Sequence, residues 1–158
     1  MNEQEVYRAA KRWFKEHDFL ILGGQPPGGT DHHPVIEIKD EIGNVKGSRS
    51  AFKPDLLVCN ENFFGIVEIK PDYSQQDHDK LELILNSNLR LANLFEELLS
   101  RSILKRYGLG DTYPNINTFI SKTVGVLAYS GLPERDELCY QLVFYDEHSH
   151  GVWLPPKR

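Results

Sequence analysis

The stretch that decides the fold is KPDLLVCNENFFGIVEIKP, residues 53–71. Together with the preceding Phe52, it contains two runs rich in aliphatic and aromatic residues, 52–59 and 63–69, which are separated by the polar residues 60–62. Two β-rich runs joined by so short a polar connection are typical of a hairpin. The sequence therefore predicts two antiparallel strands at this point of the chain.

The length of the turn predicts the register of this hairpin. If the two residues between Asn60 and Phe63 form the turn, these two residues face each other, and counting back places Asp55 opposite Glu68. Cross-strand neighbours have Cβ atoms about 5 Å apart, where two carboxylates repel unless something compensates. Lys70 lies two residues beyond Glu68 and so points to the same face of the strand. The hairpin thus concentrates two acids and one base on one face.

A divalent cation is the natural compensation for such a pair of acids. Mg²⁺ binds oxygen ligands, and Mn²⁺ serves as its substitute, so we expect Asp55 and Glu68 to be metal ligands, with the backbone carbonyl of Ile69 as a further one. Such a cation can polarise a phosphoryl oxygen and acidify a bound water, while the ammonium of Lys70 offsets developing negative charge. This is the chemistry of phosphodiester hydrolysis.

The four residues Pro54, Asp55, Glu68 and Lys70 resemble the motif of the PD-(D/E)XK nuclease superfamily. The resemblance implies an α/β fold, a restriction-endonuclease-like mixed β-sheet flanked by helices. It also implies Mg²⁺-dependent cleavage of DNA, less often RNA, with catalytic roles for Asp55, Glu68 and Lys70. The segment Gly23–Lys46, with its Gly/Pro-rich loop, departs from this pattern and is interpreted as an insertion.

Residues outside the hairpin are candidates for supporting roles. Glu5, on the first predicted helix, is expected to be an additional catalytic carboxylate, with Glu3 as the weaker alternative. Gln75 and Gln76 follow the hairpin closely and are expected to contact the nucleic-acid backbone. The Glu37-Ile38-Lys39 triplet repeats the Glu-Ile-Lys pattern, but too few residues precede it for a strand, a turn and a second strand, so it is interpreted as an ordinary exposed strand.

The net charge of −5 means that nucleic-acid binding must depend on local basic clusters. Two such clusters occur in the sequence, and solvated surface is an equal alternative for both. They are Lys46, Arg49 and Lys53, which we take as nucleic-acid-binding candidates, and Arg101, Lys105 and Arg106.

Hydrophobic periodicity predicts an order of helix, strands, hairpin, helices and strands. A helical region from about residue 75 to 107 would be too long for one helix in a chain this size, so a break is expected near residues 86–88, with Ser87 or Asn88 capping the second half. The other predicted elements are a helix over 3–17 and strands over 19–22, 35–41, 123–129, 140–145 and 152–154.

At 158 residues the chain suits a single domain spanning residues 1–158. No apolar run approaches the ~20 residues that a membrane helix needs, and the N-terminal segment lacks the features of a signal peptide. An intracellular location, cytoplasmic or nuclear/nucleoid, is therefore expected. Two cysteines far apart in sequence, Cys59 and Cys139, indicate neither a disulfide framework nor a zinc site.

Several alternatives stay open at the level of sequence. An RNA endonuclease could use the same residues, and a catalytically inactive scaffold could bind a protein or nucleic acid through the same fold. Asp31, His32 and His33 could bind a transition metal or supply a catalytic histidine, although a polar loop explains them as well. A homodimer, or a place within a larger protein, is also compatible with the sequence.

Overall fold

The computed structural model describes residues 1–27, 32–39 and 51–157 and shows an α/β protein with a mixed, open, six-stranded sheet. The helices are α1 (Glu3–Glu16), α2 (Gln75–Leu85), α3 (Asn88–Ser100), α4 (Ile103–Arg106) and α5 (Ile116–Lys122). The strands are β1 (Leu20–Gly24), β2 (Leu56–Cys59), β3 (Phe64–Ile69), β4 (Thr123–Ser130), β5 (Tyr140–Phe144) and β6 (Val152–Leu154).

The strands lie in the sheet in their order along the chain, β1 to β6. The first three pair antiparallel, β3–β4 and β4–β5 pair parallel, and β6 pairs antiparallel with β5. The parallel β3–β4 pair requires a crossover, which α2 to α5 supply. The hairpin therefore lies inside the sheet, where β1 flanks one of its strands and β4 the other.

Each face of the sheet packs against its own set of helices. Helix α1 buries Val6, Ala10 and Phe14 on one face, against alternate residues of the hairpin such as Leu56 and Val67. The opposite face carries the other alternate residues, which pack against α2, α3 and α5: Leu57, Cys59, Phe64 and Ile66. Continuing this alternation places Asp55 and Glu68 on the face that α2 and α3 cover.

Helix α2 packs directly over strand β4. A side chain at Gly125 of β4 would meet Leu81 and Leu85 of α2 at 3.2–3.3 Å. The absence of a side chain at Gly125 thus allows the close approach of helix and strand. This contact fixes α2 beside the end of the hairpin, which is the part of the fold that carries the candidate site.

The predicted break in the long helical region is confirmed. Helix α2 ends at Leu85, α3 begins at Asn88, and Ser87 caps α3 by accepting a hydrogen bond from the backbone N–H of Arg90 at 3.1 Å. The predicted strand over 35–41 is wrong in its described part, since residues 35–39 form only one β-bridge, between Ile38 and Phe52. Helix α5, which the sequence analysis did not predict, follows an Asn115 cap and buries Phe119.

Replacing Ser87 by alanine is expected to destabilise the protein by about 1 kcal/mol, because the first turn of α3 loses the hydroxyl that caps it. Thermal unfolding would show this as a decrease in Tm of about 2–4 °C for a chain of this size. Ser121→Ala is the matched control, since its hydroxyl is exposed and bonds only the carbonyl of Thr118, within the same helix. Equal Tm values for Ser87→Ala and wild type would contradict the capping role.

Among the described residues, the structure contains no helix of the length and apolarity that a membrane span requires.

Candidate functional site

The hairpin has the register that its turn predicts. Leu56 pairs with Val67 and Cys59 with Phe64, and the N–H of Asn60 donates to the carbonyl of Phe63 at 2.9 Å. The side chain of Asn60 stabilises the turn by accepting hydrogen bonds from the backbone N–H groups of Asn62 and Phe63. One step beyond the Leu56–Val67 pair, Asp55 and Glu68 lie opposite each other, as predicted.

Two reciprocal hydrogen bonds join these acids across the hairpin. The backbone N–H of Asp55 donates to Oε2 of Glu68 at 3.1 Å, and the backbone N–H of Ile69 donates to Oδ2 of Asp55 at 2.7 Å. Each carboxylate is thereby held by the strand that carries the other. The backbone of Ile69 thus helps to build the site, while metal binding by its carbonyl stays a prediction.

Burial of Glu68 beside the half-buried Asp55 makes two negative charges unfavourable here unless a proton or a cation compensates them. Glu68 is 5% exposed. Burial, followed by the negative charge of Asp55, raises the pKa of Glu68 to about 9, and burial also raises the pKa of Asp55. The influence of each carboxyl group on the other acts to raise the pKa of Glu68 and to lower that of Asp55, so the proton is favoured on Glu68. At neutral pH the pair therefore holds a proton that a divalent cation can replace.

Lys70 brings a positive charge to the solvent side of the same site. Its side chain is 42% exposed, and its ammonium lies 3.6 Å from Oε1 of Glu3 on α1. Burial acts to lower the pKa of Lys70, but the carboxylates of Asp77, Glu3, Asp55 and Glu68 outweigh burial and the pKa is raised. Lys70 consequently stays protonated at neutral pH and acts as a cation rather than as a base.

The structure brings Glu3, and not Glu5, into this group of charges. Glu5 is occupied at the start of α1, where its carboxylate accepts from the backbone N–H of Asn2 at 3.0 Å and its own N–H donates to the Asn2 side chain at 2.8 Å. These two bonds form a capping box. The expectation for Glu5 is corrected accordingly, because residues two apart on a helix point about 200° apart.

Asp77 is a member of the site that the sequence analysis missed. It lies in the first turn of α2 and is 1% exposed, and its negative charge acts on both Glu68 and Lys70. The sequence signal is the spacing of Ser74 and Asp77, which resembles a capping box. That pattern points to a helix start, and only the packing of α2 on the sheet buries Asp77.

The structure describes three of the five residues that are predicted to contact nucleic acid, namely Gln75, Gln76 and Lys53. Gln75 and Gln76 are exposed at the start of α2, one turn or less from Asp77, and their contact with nucleic acid stays a prediction. Lys53 is exposed two residues before Asp55, and its ammonium lies 3.7 Å from Glu37. Lys46 and Arg49 lie outside the described residues, as does Asp31.

A second polar cluster holds the other side of α2. Nδ1 of His78 lies 2.6 Å from Oδ2 of Asp136, which also accepts from the hydroxyl of Tyr73 at 3.0 Å. Oδ1 of Asp136 accepts from the backbone N–H groups of Leu138 and Cys139. Burial acts to raise the pKa of Asp136, but these hydrogen bonds outweigh burial and the pKa is lowered. Both oxygens of Asp136 accept hydrogen bonds, which connect α2 to the segment before β5, and the ligand atoms of His78, Asp136 and Cys139 lie within 4.8 Å of one another.

The site therefore combines Asp55 and Glu68 on the hairpin with Lys70 and Glu3 toward solvent, and the negative charge of Asp77 on α2 acts on Glu68 and Lys70. Carboxylate oxygens of this kind suit Mg²⁺ or Mn²⁺. Compared with known proteins, the chain matches no protein-family model, no curated protein and no solved structure. The geometry of these five side chains is accordingly the ground on which a function is proposed.

Proposed function

We propose that this protein is a divalent-metal-dependent nuclease with a restriction-endonuclease-like core. The observation that carries the proposal is the Asp55–Glu68 pair, a half-buried and a buried carboxyl group fixed across one hairpin by reciprocal backbone hydrogen bonds, with Lys70 on the same face. Two charged carboxylates so placed are costly for a fold unless a proton or a cation compensates them. The sequence pattern of Pro54, Asp55, Glu68 and Lys70 independently resembles the PD-(D/E)XK motif.

The side chains present fit a hard divalent cation. Asp55 and Glu68 would hold it, since both are oxygen donors whose orientation is fixed before binding. When bound, Mg²⁺ supplies a Lewis acid for a phosphoryl oxygen and lowers the pKa of a coordinated water. The other side of the site is open to solvent at Lys70 and Glu3, whose side chains are 42% and 38% exposed, so a polymer can approach from there.

The protein's own side chains supply the other interactions that phosphodiester cleavage requires. Lys70, held protonated by the surrounding acids, stabilises the negative charge that develops on the phosphoryl group. Glu3, whose carboxylate lies 3.6 Å from the Lys70 ammonium, adds to the negative charge that keeps Lys70 protonated. Glu68 is buried at the floor of the site, where electrostatic interactions are stronger than in water.

DNA is the substrate class that the motif implies, and the proposal is tested with DNA and RNA side by side. Purified protein is incubated with supercoiled plasmid, single-stranded DNA and RNA in Mg²⁺, Mn²⁺ or EDTA. We expect cleavage of DNA that requires the metal, and an Asp55→Asn/Glu68→Gln variant purified in parallel measures contaminating nuclease. Cleavage of RNA alone would reassign the substrate, and activity equal in protein and variant, or in none of the samples, would reject the nuclease.

A further inference from the structure

Three side chains of different chemistry, His78, Asp136 and Cys139, converge between α2 and the segment that precedes β5. One ligand atom from each, a ring nitrogen, a carboxylate oxygen and the sulfur, lies within 4.8 Å of the other two. Bonds of about 2.0–2.3 Å to a tetrahedral zinc ion place its ligand atoms roughly 3–4 Å apart. The three atoms therefore need shifts of only about an ångström to bind one ion together.

The carboxylate of Asp136 is oriented by the protein itself. Its side chain is fully buried, and Oδ1 accepts hydrogen bonds from the backbone N–H groups of Leu138 and Cys139 at 2.9 and 2.7 Å. Oδ2 faces the cluster, since it lies 2.6 Å from Nδ1 of His78 and accepts from the hydroxyl of Tyr73 at 3.0 Å. Burial acts to raise the pKa of Asp136, but the hydrogen bonds lower it, so the carboxylate is charged at neutral pH.

Cys139 places its thiol beside this carboxylate. The residue is buried, and the space for its sulfur exists because Gly125 of β4 has no side chain, whose Cβ would lie 3.2 Å from Sγ. Burial, followed by the negative charge of Asp136, raises the pKa of the thiol, so the metal-free protein keeps the thiol proton. A metal ion that binds the sulfur displaces this proton: the S–H bond breaks, the metal–sulfur bond forms and the proton passes to solvent.

His78 has a carboxylate partner at each ring nitrogen. Nδ1 faces Asp136, and Nε2 lies 3.7 Å from Oε2 of Glu82, one turn further along α2. Histidines that bind a metal usually donate the other ring N–H to a carboxylate, a carbonyl or water, which fixes the tautomer. Glu82 is suited to this role, because its side chain is 54% exposed and can move to hydrogen-bond distance. Nδ1 is then the nitrogen that binds the ion.

The charges and donor atoms of the cluster favour a doubly charged transition-metal ion. The Asp136 carboxylate and a Cys139 thiolate together carry two negative charges, which such an ion neutralises, and buried charges are costly unless they are paired or coordinate a metal. Thiolate and imidazole donors suit Zn²⁺, whereas Mg²⁺ prefers oxygen donors alone. The cluster is therefore chemically distinct from the two carboxyl groups of the hairpin.

We infer that His78, Asp136 and Cys139 form a binding site for a transition-metal ion of the zinc type, with water as the fourth ligand. Water can reach the ion at His78, whose side chain is 14% exposed. The bound ion connects α2 to the segment before β5, and the inference is independent of the proposed nuclease, since it uses no residue of the hairpin. Sequence spacing predicts no zinc site, because His78 lies 58 residues before Asp136, and only folding brings the side chains together.

The test is a titration of the full chain with Co²⁺, a spectroscopic substitute for Zn²⁺, followed by absorbance. A thiolate bound to Co²⁺ gives a near-ultraviolet charge-transfer band that nitrogen and oxygen ligands do not give. We expect one equivalent of Co²⁺ to produce this band. Cys139→Ser and His78→Gln should raise the Kd by more than about 100-fold, since loss of a partner behind a ligand alone costs roughly 10- to 100-fold. Cys59→Ser, the same change at the other buried cysteine, is the matched control and should keep the band.

Thermal unfolding and the hairpin variant complete the test. Zn²⁺ should raise the Tm of wild type but not that of Cys139→Ser, because an ion that binds only the folded state stabilises it. The Asp55→Asn/Glu68→Gln variant should give the same Co²⁺ band as wild type, so a failure of the nuclease leaves this result unchanged. Folded wild type without a sulfur band at saturating Co²⁺ would overturn the inference, whether or not Cys139→Ser folds, as would a band that persists in Cys139→Ser.

Discussion

Replacing Lys70 by methionine is expected to lower the rate of metal-dependent cleavage by about 10²- to 10³-fold, the usual effect of removing one group that stabilises transition-state charge. Methionine keeps the length and apolar stem of the side chain but removes the ammonium. Lys70 is surrounded by Asp77, Glu3, Asp55 and Glu68, which hold it in the charged form. The loss should therefore appear at every pH at which the protein is folded, and not as a shift of a pH profile.

The measurement is single-turnover cleavage of a labelled oligonucleotide at saturating Mn²⁺, with Mn²⁺ affinity measured separately. Metal affinity should not decrease in Lys70→Met, because a cation near the site is lost, and the rate alone should decrease. Lys70→Arg keeps the charge and should recover part of the rate, while Lys15→Met is the control, an exposed lysine in the last turn of α1 with no predicted role in binding. A Lys70→Met enzyme as fast as wild type would show that Lys70 serves stability only.

The part of the site that the sequence predicted correctly is the part that local geometry determines. A two-residue turn fixes the pairing of Asn60 with Phe63, and strand alternation then places Asp55, Glu68 and Lys70 on one face without knowledge of the rest of the fold. The same applies to the helix break, since a serine cap acts within one turn of helix.

The choice between Glu3 and Glu5 depended on the rotation of α1 about its axis. The apolar stripe of α1 contains the needed signal, because Glu3 lies next to Val6, Tyr7 and Ala10 around the helix, whereas Glu5 lies on the opposite, polar side. The position of a residue along the chain alone does not show which side of the helix carries it. In the structure the side that faces Lys70 carries Glu3.

Asp77 and helix α5 could not be predicted because tertiary packing determines both. Asp77 becomes buried only when α2 lies over Gly125 and when His78 is anchored to Asp136, which is 58 residues away in sequence. Helix α5 contains several β-branched residues, which have low helix propensity. The helix forms because it buries Phe119 against Phe64 and Phe95. Long-range contacts outweigh local preference in each case.

The metal-free protein is expected to become less stable as the pH rises from about 5 to about 8. Burial and the charge of Asp55 raise the pKa of Glu68 from its ordinary 4.5 to about 9 in the folded state. Between these two values the folded protein binds one proton more than the unfolded chain, so the free energy of unfolding falls with rising pH. The limiting slope for one proton is about 1.4 kcal/mol per pH unit, and the raised pKa of Asp55 acts in the same direction.

Urea unfolding at several pH values in EDTA measures this slope, and Glu68→Gln is the variant that isolates it. Glutamine is neutral throughout, so the variant should lose most of the pH dependence and exceed wild type in stability at pH 8. Saturating Mg²⁺ should reduce the slope in wild type but not in the variant, because the cation takes the place of the proton between Asp55 and Glu68. Wild-type stability that is constant or rises between pH 5 and 8 in EDTA would contradict the shared proton and, with it, the electrostatic argument for a cation at the hairpin.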